Sequence, residues 1–252
     1  MVALNEPMDR QFFPSPPVAK DAIAAHFHQF RRSLYFNQRA LARTNDGKIV
    51  DNAFAEDKAE DRSRLISRSE VIFTKPLSPD FTLLMKHCAE FTLILPVLQD
   101  HYSTFAVIRN PLAILASWHS VDVPVSRGKV AKSARLNPDF HARLNELPND
   151  LLTRQLFILS WYFEQYQQLP EQQIIRYEEL IADPAKTLGQ MVKKSSDFSF
   201  QPLENRNSNR LYQAIDFTLL VDRLLASEGA YWAFYDRQAI KDLAQQMQAN
   251  NE

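Results

Sequence analysis

Short apolar runs alternate with longer helical patterns along most of this chain. Val2–Asn5 reads as a strand ended by Glu6 and Pro7. Pro16 and Pro17 then open a stretch of good helix formers from Val18 to about Arg43, with no internal Pro or Gly. Residues 45–70 are charged and loop-like. Phe81–Lys86 reads as a buried strand, Phe91–Tyr102 as the helix after it, and Phe105–Ile108 as the next strand. Pro111 suits the first turn of a helix over Leu112–His119. Residues 121–138 are polar and basic, the composition of a surface loop.

Apolar positions 152, 156, 159, 163 and 166 then form a helical stripe. Ile174–Tyr177 is another short strand, and Asp183–Pro184 starts a helix running to about Lys194. The C-terminal part is helical over roughly Ala214–Ser227 and Asp236–Gln248. Strands alternating with helices predict an α/β fold, a parallel sheet covered by helices on both faces as three layers. The simplest organisation is one domain over 1–252, with an α/β core to about residue 200 and a helical extension over 201–252.

Composition narrows the chemistry. The 252 residues hold four glycines, Gly47, Gly128, Gly189 and Gly229, each isolated from the others. Neither a G-x-G-x-x-G nor a G-x-x-x-x-G-K-[ST] segment can be written. The formal net charge is −1, so no global attraction for nucleic acid or anionic membrane is expected, and an anion site must be a local cluster of Arg or Lys. One cysteine, Cys88, rules out an internal disulfide. It reads as buried rather than nucleophilic, since no Cys/His pattern activates it. The six histidines show no zinc-ligand spacing, so no metal is expected. Apolar runs are too short to span a bilayer and no signal-peptide pattern opens the chain, which makes the cytoplasm the expected location. Trp118, Trp161 and Phe163 lie on helix stripes and read as core.

In open α/β sheets, ligands sit at the carboxyl ends of the strands. Asn5–Glu6, Lys86–His87 and Arg109–Asn110 place polar groups there. Arg109 leaves its strand where a helix begins, and Ser117 lies eight residues on, two turns along that helix. A guanidinium fork and a hydroxyl suit a phosphate; an ordinary salt bridge and helix packing account for the same spacing.

The segment from Arg109, Asn110 and Pro111 to Ser117 and Trp118 resembles the 3′-phosphate-binding segment of sulfotransferases. There a strand ends in Arg-Asp/Asn-Pro and a Ser follows eight residues after the Arg. Ile174 to Pro184, containing Arg176, Tyr177, Glu178, Glu179 and Leu180, is similar to that family's Arg-Tyr-Glu-Asp-Leu segment. The resemblance covers roughly residues 2–190. It implies a sulfotransferase fold, similar to that of P-loop nucleoside triphosphate hydrolases. It also implies transfer of the sulfuryl group of 3′-phosphoadenosine 5′-phosphosulfate to an acceptor hydroxyl or amine, without a metal. Arg109 and Ser117 would hold the 3′-phosphate, and Tyr177 would lie beside the adenine.

Val2–Pro7 resembles a strand and Glu-Pro of carbohydrate sulfotransferases. That makes Glu6 a candidate general base and slightly favours a carbohydrate acceptor over other small molecules; a turn-forming Glu before Pro is the plain alternative. Met85, Lys86 and His87 occupy the place of the family's Lys-Thr-His. Lys86 would neutralise charge on the leaving phosphate, and His87 is the alternative base. Adjacent strand side chains point to opposite faces, so Lys86 and His87 do not aim at one atom while the strand continues. The basic loop around Arg127, Gly128 and Lys129, with Lys132 and Arg135, would cover the donor or attract an anionic acceptor; a solvated charge run is its plain reading. Arg206 and Arg210 stand where some relatives carry a basic Arg-Lys-Gly segment, which is absent here.

The family's other donor element is a loop near Gly-x-x-Arg-Ser-Gly-Thr-Thr, ahead of the segment that resembles Val2–Pro7. Its absence from these residues predicts weak binding of the 3′-phosphoadenosine half, severely impaired transfer, and an exposed apolar face or unpaired sheet edge. A binding protein that keeps the fold without the chemistry is the alternative reading. A phosphoryl-transferring enzyme of related architecture would need a Lys-Ser/Thr loop that is not present. The acceptor and the oligomeric state are not legible in the sequence.

Overall fold

The computed structural model describes residues 1–9, 13–45, 48–49, 67–189, 191, 203–207, 212 and 217–249. Strand β1 (Val2–Asn5) and helix α1 (Pro16–Asn37) are followed by strands β2 (Arg39–Asn45), β3 (Lys48–Ile49), β4 (Ser67–Ile72) and β5 (Leu83–Lys86). Helices α2 (Cys88–Leu93) and α3 (Leu95–Gln99) precede strand β6 (Ala106–Ile108) and helix α4 (Pro111–His119). Then come α5 (Ser133–Leu136), α6 (Pro138–Glu146), α7 (Leu151–Tyr166) and strand β7 (Ile174–Arg176). Helices α8 (Tyr177–Ala182), α9 (Pro184–Gly189), α10 (Phe217–Leu225) and α11 (Arg237–Ala249) complete the order. The fold is mixed α/β, mostly helical, with short parallel strand pairs. Its contacts divide into two compact units, Met1–Tyr102 with Lys132–Pro138, and Ser103–Ala131 with Asp139–Glu252. No helix among the described residues is long and apolar enough to cross a membrane.

In the first unit, β1 pairs parallel with β5, from Val2 opposite Leu83 to Asn5 opposite Lys86. Helix α1 starts on Pro16 and Pro17, which need no intrahelical donor there. It buries Ala19, Ile23, Phe30 and Leu34. The sequence predicts this helix to about Arg43, but it stops at Gln38. That residue turns left-handed (φ 53°) and donates its N–H to the Leu34 carbonyl at 3.1 Å. The chain then enters β2, the centre of an antiparallel sheet ordered β3-β2-β4. This sheet replaces the end of the expected helix and part of the expected loop over 45–70. Residues 50–66 lie outside the described residues. The expected helix over Phe91–Tyr102 is two short helices, α2 and α3, with Pro96 in the first turn of α3.

In the second unit, β6 pairs parallel with β7, placing Ala106, Val107 and Ile108 opposite Ile174, Ile175 and Arg176. Ala106, Ile108 and Ile175 are buried, whereas Val107 is 53% exposed, so β6 is not covered on both faces at this position. Helix α4 buries Pro111, Leu112, Ala113, Leu115 and Ala116 and packs against α10 and α11. The stripe on α7 delivers Phe163 into a cluster of Tyr166, Tyr231, Phe234 and Tyr235, with ring centroids 5.5–6.5 Å away. Trp161 is buried beside Phe140, and Trp118 is half-buried. The expected loop over 121–138 carries a short turn of helix at Pro124–Arg127 and then α5. The strand expected over Ile174–Tyr177 ends one residue earlier, because Tyr177 opens α8.

Asp150 caps α7 and also ties it to α10. Its carboxylate accepts the Thr153 N–H at 2.8 Å and an Arg223 guanidinium N–H at 2.7 Å. The Thr153 hydroxyl and N–H, then Arg223, lower its pKa from 3.8 to about 2. A carboxylate held below its unfolded pKa stabilises the fold fully above roughly pH 4 and loses that contribution as pH falls toward 2. Asp150→Asn should therefore melt below the parent at pH 6, with the gap narrowing between pH 4 and pH 2. A gap independent of pH would contradict this assignment.

Candidate functional site

The parallel register of β6 and β7 decides what lies at their carboxyl ends. Ile108 faces Arg176, so the next residue on each strand, Arg109 and Tyr177, leaves the pair at the same end. The Arg109 guanidinium carbon stands 4.9 Å from the centroid of the Tyr177 ring, a cation–π contact. Asn110 turns the chain into α4: its side-chain oxygen accepts the Leu112 N–H at 3.0 Å and Pro111 takes the first helical position. Its amide group donates to the Ala239 carbonyl at 3.2 Å, which fixes this corner to α11.

A strap of residues 203–207 lies along both side chains. Arg109 donates from Nε to Asn207 Oδ1 at 2.6 Å and from Nη2 to the Arg206 carbonyl. The Tyr177 hydroxyl donates to the Glu204 carbonyl and accepts the Arg206 N–H, both at 3.0 Å. Beneath them sits Glu178. Its Oε1 accepts from Asn207 Nδ2 at 2.7 Å and from the Asn110 N–H at 3.2 Å, and its Oε2 accepts from the Tyr235 hydroxyl at 2.8 Å. Burial, then the Glu178 charge, pushes the Tyr235 phenol far above its ordinary pKa, so it stays a donor.

The strap uses one edge of the guanidinium, Nε and Nη2. Nη1 makes no hydrogen bond among the described residues, which leaves donors for an oxyanion. Ser117 is half-buried on α4, where its main-chain carbonyl accepts from the Ser120 N–H and hydroxyl. Arg127 is exposed and paired with Asp122 at 2.5 Å. Its loop is anchored on α7, since Arg154 Nε donates to the Gly128 carbonyl at 3.1 Å and Gln155 to the Val125 carbonyl at 3.1 Å. Arg206 belongs to the strap, while Arg210 lies outside the described residues.

The residues expected to do chemistry gather in the first unit, at the carboxyl ends of β1 and β5. Lys86 is exposed at the end of β5, and its carbonyl accepts the Glu6 N–H at 2.7 Å. Glu6 has a left-handed backbone (φ 47°), and its carboxylate is buried in an ion pair with Arg43 of β2. His87 is 1% exposed; its Nε2 accepts the Met8 N–H at 3.1 Å, and Phe13 and Phe91 meet its ring at 5.2 and 5.1 Å. Cys88, expected to be buried, is exposed as the first residue of α2. No group of three or more His, Cys, Asp or Glu side chains among the described residues is arranged to hold a metal ion.

Four contributors escape a reading of the sequence: Arg43, Glu178, Asn207 and Tyr235. Glu178 had a signal, since it sits beside Tyr177 in the quoted segment. Arg43 was hidden at the end of an expected helix. Asn207 and Tyr235 meet their partners only through contacts distant in sequence.

Removing one member of a buried ion pair strands the other charge, a loss of about 3–5 kcal/mol. Arg43→Met should lower urea-measured stability by about that amount, and Glu6→Leu added to it should recover much of the loss. Simple additivity of two losses would show that the pair is not coupled. In comparisons with known proteins, no family model, no curated protein and no solved structure matches the chain.

Proposed function

We propose that this chain binds 3′-phosphoadenosine 5′-phosphosulfate, or its bisphosphate product, through Arg109, Ser117 and Tyr177, and that it is a sulfotransferase. In this reading the α/β fold is the three-layer sulfotransferase one, related to that of P-loop nucleoside triphosphate hydrolases. The observation that carries the reading is the Arg109–Tyr177 pair at the carboxyl ends of neighbouring parallel strands. A guanidinium with donors left over and an adjacent aromatic ring are what a phosphorylated adenosine needs. Arg109 would hold the 3′-phosphate with the Ser117 hydroxyl, Tyr177 would flank the adenine, and Arg127 would add positive potential nearby.

The resemblance gives Lys86 the neutralisation of charge on the departing phosphate, and Glu6 or His87 the proton of the acceptor. Such a transfer works by positioning and charge stabilisation. The acceptor would be a hydroxyl or amine compound, with a carbohydrate favoured by the likeness of Val2–Pro7.

A second reading has its own observation. The Glu6 carboxylate is engaged by Arg43 and the His87 ring is enclosed by aromatic side chains, an arrangement unsuited to a general base that must reach an acceptor proton. It favours a nucleotide-binding protein without transfer activity. Both readings require the Arg109 site.

Retention on an adenosine 3′,5′-bisphosphate resin tests that requirement. The parent chain should be retained and Arg109→Ala should pass through. Equal retention of both, or of neither, removes the proposal. Sulfuryl transfer to a panel of sugars and alcohols then separates the enzyme from the binding protein.

A further inference from the structure

Arg109 does not stand alone, and the residues that orient it, Asn207 and Glu178, are ones to which the resemblance assigns no role. Nε and Nη2 define one edge of a planar guanidinium, and both are spent on the strap. The strap is held in turn by Asn207, whose side chain faces two ways: its oxygen accepts from Arg109 and its nitrogen donates to Glu178. Asn207 is 5% exposed and Asn110 is 5% exposed, so both Glu178 partners from these loops are inside the unit. The third partner, Tyr235, comes from the segment preceding α11 and is 6% exposed.

We propose that Glu178 is a positioning residue: one carboxylate latches the 203–207 strap, through Asn207, onto Arg109. The latch fixes the guanidinium against the Tyr177 ring and leaves its Nη1 side for an oxyanion. The affinity consequence rests on the function proposed above, but the latch itself does not.

The chemistry of the latch predicts which substitution preserves it. Glutamine keeps an oxygen that accepts from the Asn110 N–H and Asn207 Nδ2, and its amide nitrogen donates to the Tyr235 oxygen. Leucine keeps the approximate volume and offers no acceptor, so it leaves Asn207 Nδ2 and the Asn110 N–H without their shared partner. Asn207→Ala removes the other half of the latch without touching the Glu178–Tyr235 bond.

Amide hydrogen exchange of the whole chain reads the latch without any ligand. Exchange at Arg206 and Asn207 should accelerate about tenfold or more in Glu178→Leu and Asn207→Ala, and stay near parent values in Glu178→Gln, while amides of α7 keep their protection. Trypsin cleavage after Arg206 should follow the same order. Adenosine 3′,5′-bisphosphate titration of the same proteins should show binding weakened about tenfold in Glu178→Leu and Asn207→Ala and restored in Glu178→Gln, the scale of one lost charge-assisted hydrogen bond. Unchanged exchange at 206–207 in Asn207→Ala overturns the latch, even if Glu178→Leu fails to fold. Accelerated exchange with bisphosphate affinity unchanged overturns the positioning role. A parent chain that binds no bisphosphate sinks the proposed nucleotide site, and exchange still decides the latch.

Discussion

Two strands of three residues each, running parallel with Ile108 opposite Arg176, bring Arg109 and Tyr177 to one place. Parallel pairing makes both chains exit at the same end, and a shift of register by one residue would send one of the two side chains to the opposite face. Everything proposed about ligand binding depends on this short ladder. The ladder depends in turn on buried Ala106, Ile108 and Ile175, and its exit on the Asn110 cap.

The carboxyl-end corner itself was legible, because Arg109, Asn110 and Pro111 form a strand end, a cap and a helix start in consecutive positions. The antiparallel sheet of the first unit was not. In β2 the small Ala40 and Ala42 are buried and the larger Leu41 is 45% exposed, so the apolar alternation that marks a strand is inverted in size. Good helix formers in the same stretch extended the apparent helix past Gln38, where only a left-handed backbone turn ends it. Strand β4 opens on Ser67, Arg68, Ser69 and Glu70, residues that read as loop until a partner strand accepts their backbone. Glu178 and Asn207 illustrate a different limit. Their roles arise from partners 29 to 98 residues away, and local spacing carries no trace of such pairings.

Arginine does several different jobs here, and its neighbours decide which. Arg43 neutralises a buried carboxylate, Arg154 fastens a loop, and Arg223 joins two helices through Asp150. Arg109 differs in having one edge committed to the chain and donors left on the other. With a formal net charge of −1, an anion site on this protein would have to be a local arrangement of this kind.

In the proposed site this guanidinium recognises a 3′-phosphate beside an adenine. Isothermal titration with adenosine 3′,5′-bisphosphate and with adenosine 5′-monophosphate separates that contact from every other. If Arg109 reads the 3′-phosphate, the bisphosphate binds at least about tenfold tighter than the monophosphate, and the difference is abolished in Arg109→Ala. Equal affinities for the two nucleotides in the parent chain would contradict it.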